Sequence, residues 1–297
     1  MSETAVALAP PRRKPRWRKY FASPRATVGF VVFALFLGAA TFAPWIAPQD
    51  PYDLATISIF DSRLEPGTVG DGGLYILGTD DQGRDMLSAI LYGLRISLTV
   101  GLLATFVATV IGVVVGLIAA YVGGWVETVL MRLVDFMLGF PAILVALVLL
   151  AVLGQGVDKV IIAIIAVQWA QYARILRSSA LSEQRREYIE AARNFGFSPW
   201  RIMALHLLPN CLGPVLVVAT IQVASAISIE ATLSFLGLGV PITEPSLGLL
   251  IANGFDYLLS GQYWISFYPG FALLALIASI NLIGDRAREL LNPRLAV

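Results

Sequence analysis

Residue types that do chemistry are sparse in this 297-residue chain, and their spacing matches no catalytic site. His206 is the only histidine and Cys211 the only cysteine, so an internal disulfide and a Cys-based metal site are both excluded. The only lysines are Lys14, Lys19 and Lys159, and none completes the glycine-rich loop that cradles the phosphates of ATP. No nucleophile stands beside a base. We therefore expect a protein that is not an enzyme and binds no metal or cofactor of its own.

The longest charged segment between apolar runs, after the N-terminal tail, is residues 188–210. Its pattern predicts two short helices with a break between them. Gly196 can adopt the left-handed conformation that ends a helix, Ser198 fits an N-cap, and Pro199 fits the first helical position. Pro209 is predicted to stop the second helix. Such a hairpin, set between apolar runs, is a shape that a partner protein could grip.

Ionisable residues inside apolar runs include Arg132, Asp135 and Glu230, and Glu230 is the deepest of them. If its run crosses a membrane, this carboxylate costs ~2.5–3.5 kcal/mol to insert and needs a partner or water. Two interpretations stay open: Glu230 lines a polar pathway or gate, or it anchors its helix to a neighbour by hydrogen bonds. Arg132 and Asp135 stand three residues apart in another run, and we interpret them as a mutual pair with a structural role.

The composition predicts that the elements carrying these residues are membrane helices. Apolar residues make up 57% of the chain and charged residues 14%, whereas a soluble domain has ~45–50% and ~25%. Lipid cannot satisfy open backbone groups, so each span must be a helix of ~20 residues. Six apolar runs meet or approach that length: about 28–47, 96–121, 128–153, 160–176, 212–238 and about 268–283.

Small residues and prolines predict how two of these helices pack and bend. Gly112, Gly116 and Ala120 form a small-residue stripe in the second span, which could pack inside the chain or against another subunit. Gly139-Phe-Pro141 should kink the third span.

The distribution of Lys and Arg predicts the orientation. Most of them lie in the N-terminal tail, the 172–210 segment and the C-terminus, and few in the segments on the other side. The positive-inside rule then places both termini and the 188–210 hairpin in the cytoplasm. The basic tail beside an apolar span indicates contact with anionic lipid headgroups rather than nucleic acid.

The predicted outer segment, residues 49–94, is rich in acids and glycines. Gly67, Gly70, Gly72 and Gly73 predict turns or a small hairpin. Asp80 and Asp81 are placed to cap a helix that begins near Gln82. Calcium binding by these carboxylates is a weaker interpretation, because the ligand spacing of an EF-hand is absent.

Several motifs carry a resemblance to a known family. Glu190-Ala191-Ala192, Gly196 and Leu208-Pro209 resemble the EAA loop of ABC importer permeases. Other stretches are similar to the C-type permease subunit of dipeptide, oligopeptide and nickel importers: Leu77-Gly-Thr-Asp80, Gly83-Arg-Asp85, Leu91-Tyr-Gly93, Arg95-Ile-Ser-Leu98 and Glu230-Ala-Thr-Leu-Ser-Phe-Leu-Gly-Leu-Gly239. The resemblance extends over about residues 21–295.

The resemblance implies an all-α integral membrane protein with six transmembrane helices, the type I ABC importer permease fold, and a cytoplasmic EAA coupling hairpin. The division it implies is a basic cytoplasmic arm (1–25), a first span (26–48), an extracytoplasmic loop (49–94), a permease core (95–290) with its coupling loop (177–210), and a cytoplasmic tail (291–297). It places the chain in a bacterial inner membrane.

The resemblance also implies partners and a coupling site. A homologous second permease, two ABC ATPase subunits or a dimer of one, and an extracytoplasmic substrate-binding protein would complete the importer, and the ATPases would bind ATP and Mg²⁺. The coupling site would comprise Glu190, Ala191, Ala192, Phe195, Gly196, Phe197, Ser198, Pro199, Trp200 and Arg201, with Ile189 joining the side chains that fill the ATPase groove. Glu230 is the candidate for the translocation pathway.

Alternatives remain within and outside the family. Permeases of the same kind that carry nickel chelates, opines or glycosides fit as well as a peptide permease does. An ATP-independent channel or secondary carrier should show inverted repeats and several buried charges. The sequence shows no clear repeat and a single deep acid.

Overall fold

A computed structural model describes residue 20 and residues 23–53 and 57–291 of the chain, and these residues are mostly helical. The predicted basic arm and C-terminal tail fall outside them, apart from residues 20, 23–25 and 291. The described helices are α1 (Pro24–Ile46), α2 (Met86–Val122), α3 (Gly124–Leu138), α4 (Ala142–Leu153), α5 (Val157–Glu183), α6 (Glu187–Asn194), α7 (Pro199–Phe235), α8 (Leu247–Phe255) and α9 (Trp264–Leu291). Strands β1 (Thr68–Gly70) and β2 (Gly73–Tyr75) form one antiparallel hairpin.

Five of these helices, α1, α2, α5, α7 and α9, are long and apolar enough to cross a membrane. A sixth candidate span is the pair α3 and α4, which is apolar enough when taken together and is broken by a bend of 90°. The break falls at Gly139-Phe-Pro141, where the sequence predicts a kink. Pro141 lacks an N–H and disfavours helical geometry at the residue before it, so the helix ends there and starts again.

The second span starts ten residues earlier than the sequence predicts. Helix α2 begins at Met86 rather than near residue 96, and the side chain of Asp85 caps it by accepting a hydrogen bond of 2.8 Å from the Ser88 N–H. The prediction that Asp80 and Asp81 cap a helix near Gln82 is wrong. Asp80 instead accepts hydrogen bonds from the N–H groups of Gln82 and Arg84 in a tight turn.

The outer segment contains the small hairpin that its glycines predict, and a buried carboxylate holds it in place. Asp61 accepts hydrogen bonds from the N–H groups of Asp71 and Gly72 and, at 2.8 Å, from the Tyr75 hydroxyl. Burial opposes ionisation, yet the three hydrogen bonds together lower the pKa of Asp61 below its ordinary value. Burial and the bond to Asp61 raise the pKa of Tyr75 to about 12.

The most extensive helix pairing in the described residues is between α2 and α5. The small-residue stripe of α2 forms this interface: Gly112 lies against the backbone of Trp169 and the side chain of Tyr172, and Gly116 lies against Ala173. The stripe therefore packs inside the chain, which settles the question that the sequence left open. A branched residue at either glycine would push the two helices apart.

Candidate functional site

The candidate site is the hairpin formed by α6, the turn at Gly196 and the start of α7. Helix α6 ends in two backbone hydrogen bonds, from Phe197 N–H to Ala192 O at 3.1 Å and from Gly196 N–H to Arg193 O at 2.9 Å. This pair of bonds defines a Schellman turn, in which the first of the two donor residues must adopt the left-handed conformation. Gly196 supplies it with φ +73°, so the conformation predicted for this glycine is confirmed.

Ser198 and Pro199 start α7 as predicted, but Pro209 does not end it. Ser198 is the N-cap residue, although its side chain makes no capping hydrogen bond, and Pro199 is the first helical residue. The helix continues to Phe235 through a π-helical turn at Ile202–Leu207. The wider turn lets the Leu208 N–H bond to Met203 O, and we infer that this loosened backbone accommodates Pro209, which has no N–H to give.

One side of the hairpin is packed onto the rest of the chain. Ile189, Ala192, Ile202 and Leu207 are buried in an apolar cluster with residues of α2 and α5, among them Leu117, Ala120, Tyr172, Leu176 and Ala180. Ile189 is completely buried, so the prediction that it fills a groove on another protein is wrong. Ile189 and Ala192 instead hold α6 against the C-terminal ends of α2 and α5.

Polar contacts fix the hairpin to its neighbours as well. The Gln184 side chain donates to Ala120 O at 2.8 Å, and the Arg193 guanidinium lies over the ring of Tyr121. Tyr188 donates to Glu183 at 2.7 Å and accepts from Asn210 at 3.0 Å, which ties α6 to both α5 and α7. The hairpin is therefore a firm extension of three helices rather than a loose loop.

The opposite side of the hairpin presents apolar rings and a carboxylate to the surroundings. Phe195 is 79% exposed, Trp200 is 72% exposed, and Glu190 of the same hairpin is exposed as well. Leu205, which the sequence reasoning missed, is 65% exposed on the π-helical turn. Exposed aromatic side chains on a rigid support are typical of protein-binding surfaces.

The remaining predicted residues complete this surface. Phe197 is half-buried, with its ring near His206 and under the Arg201 guanidinium, whose carbon lies 4.4 Å from the ring centroid. Ala191, Ser198 and Pro199 are exposed on the same hairpin. All ten residues predicted for coupling thus belong to one structural unit, although Ala192 contributes to its support and not to its surface.

Glu230 lies away from this hairpin and is 0% exposed. Its carboxylate accepts hydrogen bonds from Ser97 of α2 at 2.8 Å and from Ser234, one turn further along α7, at 2.9 Å. Gly248 of α8 packs against the backbone of nearby Ala231. In this conformation the contacts favour the interpretation of Glu230 as an anchor between helices.

The predicted pair of Arg132 and Asp135 is not formed. Asp135 bonds instead to Arg174 of α5 at 2.5 Å, and Glu127 of α3 bonds to Arg177 of α5, with the Arg177 Nε at 2.7 Å. Sequence spacing gave no signal for these two pairs, because each joins residues at least 39 positions apart.

Comparisons with known proteins agree on one family. Residues 112–297 match the family model described as "Binding-protein-dependent transport system inner membrane component". Residues 14–66 match the model described as "N-terminal TM domain of oligopeptide transport permease C". The first match alone covers more than half of the chain.

Curated relatives are similar over nearly the full chain. The "Di/tripeptide transport system permease protein DppC" of Pseudomonas aeruginosa is 36% identical, over 95% of this chain and 92% of that protein. The "Dipeptide transport system permease protein DppC" of Escherichia coli is 38% identical, over 99% and 98%. The protein of the same name from Haemophilus influenzae is 34% identical, over 99% of both.

A similar fold occurs in a solved structure, an inward-facing conformation of the MetNI methionine ABC transporter. The TM-score is 0.56 at 21% sequence identity, and the match covers 69% of this chain and 97% of the solved chain. At this identity the likeness concerns the fold alone.

Proposed function

We propose that this chain, which belongs to the family of binding-protein-dependent transport system inner membrane components, carries peptides and is driven through its α6–α7 hairpin. Membership makes the chain a multi-pass membrane permease of an ABC importer and a transport subunit, not an enzyme. It also argues against an ATP-independent channel or carrier. The substrate class, the partners and the coupling residues are the proposed part.

The observation that carries the coupling role is the two-sided hairpin. Its buried side, with Ile189 and Leu207, is fixed to the ends of the spanning helices, while Phe195 and Trp200 are exposed on the other side. A partner that gripped these rings would move a unit joined to α5 and α7. We propose that closure of two ATPase subunits moves the hairpins docked on them and so switches access to the pathway. ATP and Mg²⁺ would be bound by those subunits.

The other proposed partners are those expected for a permease of this family. A homologous second permease would complete the pathway, and an extracytoplasmic binding protein would deliver the solute to the face formed by the outer segment and α8. We propose that the hairpin and both termini are cytoplasmic, as the distribution of Lys and Arg indicates. The names of these relatives concern di- and tripeptides, which supports short peptides as the solute. Nickel chelates, opines and glycosides are the alternatives to exclude.

The test uses the assembled importer in liposomes, with ATP hydrolysis and uptake of a labelled dipeptide measured in the same vesicles. Glu190→Lys and Trp200→Ala should leave the membrane fold intact but lower uptake per ATP hydrolysed about tenfold or more, as expected for loss of a binding hot spot. Phe271→Ala, which removes another highly exposed ring from α9, is the matched control and should change nothing. Unchanged uptake in both hairpin variants would refute the docking role.

A further inference from the structure

Helix α3 is the least embedded of the helices that make up the spans. Among its fifteen residues only Val134 is buried. It begins at Gly124. Both Gly124 and the preceding Gly123 have positive φ (+59° and +68°) and open space around them, and the helix ends at the break before Pro141. Glycines of this kind and a proline break are the positions at which a chain can swing. Helix α3 is therefore a rod between two joints.

Helix α3 packs against both α2 and α5. Val134 packs against Ala170 and Ala173 of α5, and this small apolar cluster is flanked by the Glu127–Arg177 and Asp135–Arg174 ion pairs. Between two described residues, every other ion pair joins positions no more than four apart in the sequence. The only ion pairs of this part of the chain that link separate helices thus both link α3 to α5.

The two ion pairs differ in strength. The side chains of Arg174 and Asp135 are 52% and 62% exposed, so solvent screens this pair. Those of Arg177 and Glu127 are 33% and 22% exposed, and both the Nε and Nη2 of Arg177 donate to the same carboxylate oxygen. Two donors in a rigid fork fix the direction of the contact as well as its distance. The Glu127–Arg177 pair is the stronger tie.

The partner helix of this tie leads straight to the coupling hairpin. Helix α5 continues from Arg177 to Glu183, about 9 Å at 1.5 Å per residue. The next residue, Gln184, bonds to Ala120 and to Arg193 of α6, so the end of α5 moves with the hairpin. Arg177 therefore sits between the hairpin and the rod.

We propose that the Glu127–Arg177 ion pair makes α3 follow α5, so that displacement of the hairpin turns the elbow of the broken span at residues 139–141. This inference rests on the proposed function, since it assumes that the ATPases move the hairpin. Glu127 and Arg177 are positioning residues: they transmit a displacement and need touch neither the solute nor the ATPase. The exposed Asp135–Arg174 pair serves as a weaker second tie.

The first experiment measures coupling in the complete importer reconstituted in liposomes. Glu127→Gln and Arg177→Gln should assemble and hydrolyse ATP as the unmodified protein does, while uptake per ATP falls about tenfold, the size expected for a lost charged hydrogen bond. Arg177→Lys keeps the charge but not the two-donor fork, so its uptake per ATP should lie between those of the native protein and Arg177→Gln. The exchanged variant, Glu127→Arg with Arg177→Glu, should recover most of the uptake. Lys159→Gln, which breaks an exposed pair with Asp158, is the control and should have no effect.

The second experiment measures the motion itself. Spin labels at Trp125→Cys on α3 and Phe106→Cys on α2 report the distance between the rod and the body of the protein, and the native Cys211 is buried. Addition of ATP should change this distance, and Glu127→Gln should reduce or abolish the change. A structural role alone would leave the ATP-dependent change in place.

The outcomes separate this inference from the proposed function. If Glu190→Lys uncouples transport but Glu127→Gln does not, or if the exchanged variant is no better than the single ones, the inference is overturned and the docking role stands. If Glu190→Lys and Trp200→Ala both leave uptake unchanged, the proposed function fails first. If the label distance does not respond to ATP in the protein with its native ion pair, α3 is no moving part.

Discussion

The carboxylate of Asp61 accepts three hydrogen bonds from residues ten to fourteen positions further along the chain. The segment around it has little apolar core, and Ile59 and Phe60 beside it are strongly exposed. Its shape therefore depends on hydrogen bonds to one ionised group.

The stability of this segment is expected to fall on both sides of neutral pH. Because the pKa of Asp61 is lowered in the folded protein, ionised Asp61 stabilises the segment at any pH above the ordinary pKa of an aspartate. This stabilisation is lost as the pH falls through the lowered pKa. The raised pKa of Tyr75 adds stability below pH 10.0 that is lost as the pH rises towards 12.

Tyr75→Phe tests this arrangement. The variant should destabilise the outer segment by about 1.5–3 kcal/mol at neutral pH, because it removes a hydrogen bond to a charged group. It should also abolish the alkaline loss of stability. Hydrogen exchange of residues 57–85 between pH 4 and pH 11 measures both effects, with the exchange of α2 and α5 as the internal reference. Equal protection in the variant and the native protein at neutral pH would contradict the role given to Asp61.

At the scale of elements, features set by residues close together in the sequence are predicted correctly, whereas features that depend on contacts between distant residues are not. Residues within a few positions of each other determine four of the correctly predicted features: the turn at Gly196, the start of α7 at Pro199, the small hairpin and the break before Pro141. The continuation of α7 past Pro209 is not predicted, because it depends on a π-helical turn. Nor are the partners of Glu230 and Asp135, because they lie on other helices and only packing brings them close.

Gly196→Val should weaken the hairpin without any steric clash. The site has open space for a side chain, so the cost is purely that of a β-branched residue at positive φ, about 1–2 kcal/mol or more. Gly196→Asn, which tolerates the left-handed conformation, is the matched control and should cost far less. Protease sensitivity of residues 184–200 in the purified protein distinguishes the two, and equal sensitivity would argue against a required turn.

Gly112→Ala should separate α2 from α5. The added methyl group would meet Tyr172 Cβ and the backbone of Trp169, and overpacking of this kind costs about 1–3 kcal/mol. Gly38→Ala places the same methyl group in α1, where nothing lies within 4 Å, and should be neutral or slightly stabilising. Thermal unfolding in detergent compares them; an unchanged melting temperature for Gly112→Ala would show that the interface can yield.

At the scale of the whole molecule, the proposed mechanism requires the hairpin and the outer segment to lie on opposite sides of the membrane. An even number of crossings separates the N-terminus from the hairpin only if α3 and α4 together count as one span. The six-span prediction depends on this reading, and so does the proposed site of the ATPases.

Two exposed serines test the sidedness. Ser198→Cys lies on the hairpin and Ser260→Cys lies in the segment between α8 and α9. Each variant introduces one exposed thiol into a chain whose only native cysteine is buried. A membrane-impermeant thiol reagent added outside intact cells should label Ser260→Cys and should label Ser198→Cys only after the cells are opened. The reverse pattern would exclude docking of cytoplasmic ATPases on the hairpin.

The broken span also bears on how the protein is made. Helices α3 and α4 have 15 and 12 residues, so neither half alone reaches the ~20 residues that cross hydrocarbon. During synthesis the insertion machinery must accept both halves as one unit, before the ion pairs to α5 can exist. A mutation that stopped this acceptance would invert every later helix and deliver the hairpin to the wrong compartment. Defects at the elbow are therefore expected to show first as topologically mixed, rapidly degraded protein, and only secondarily as a slow importer.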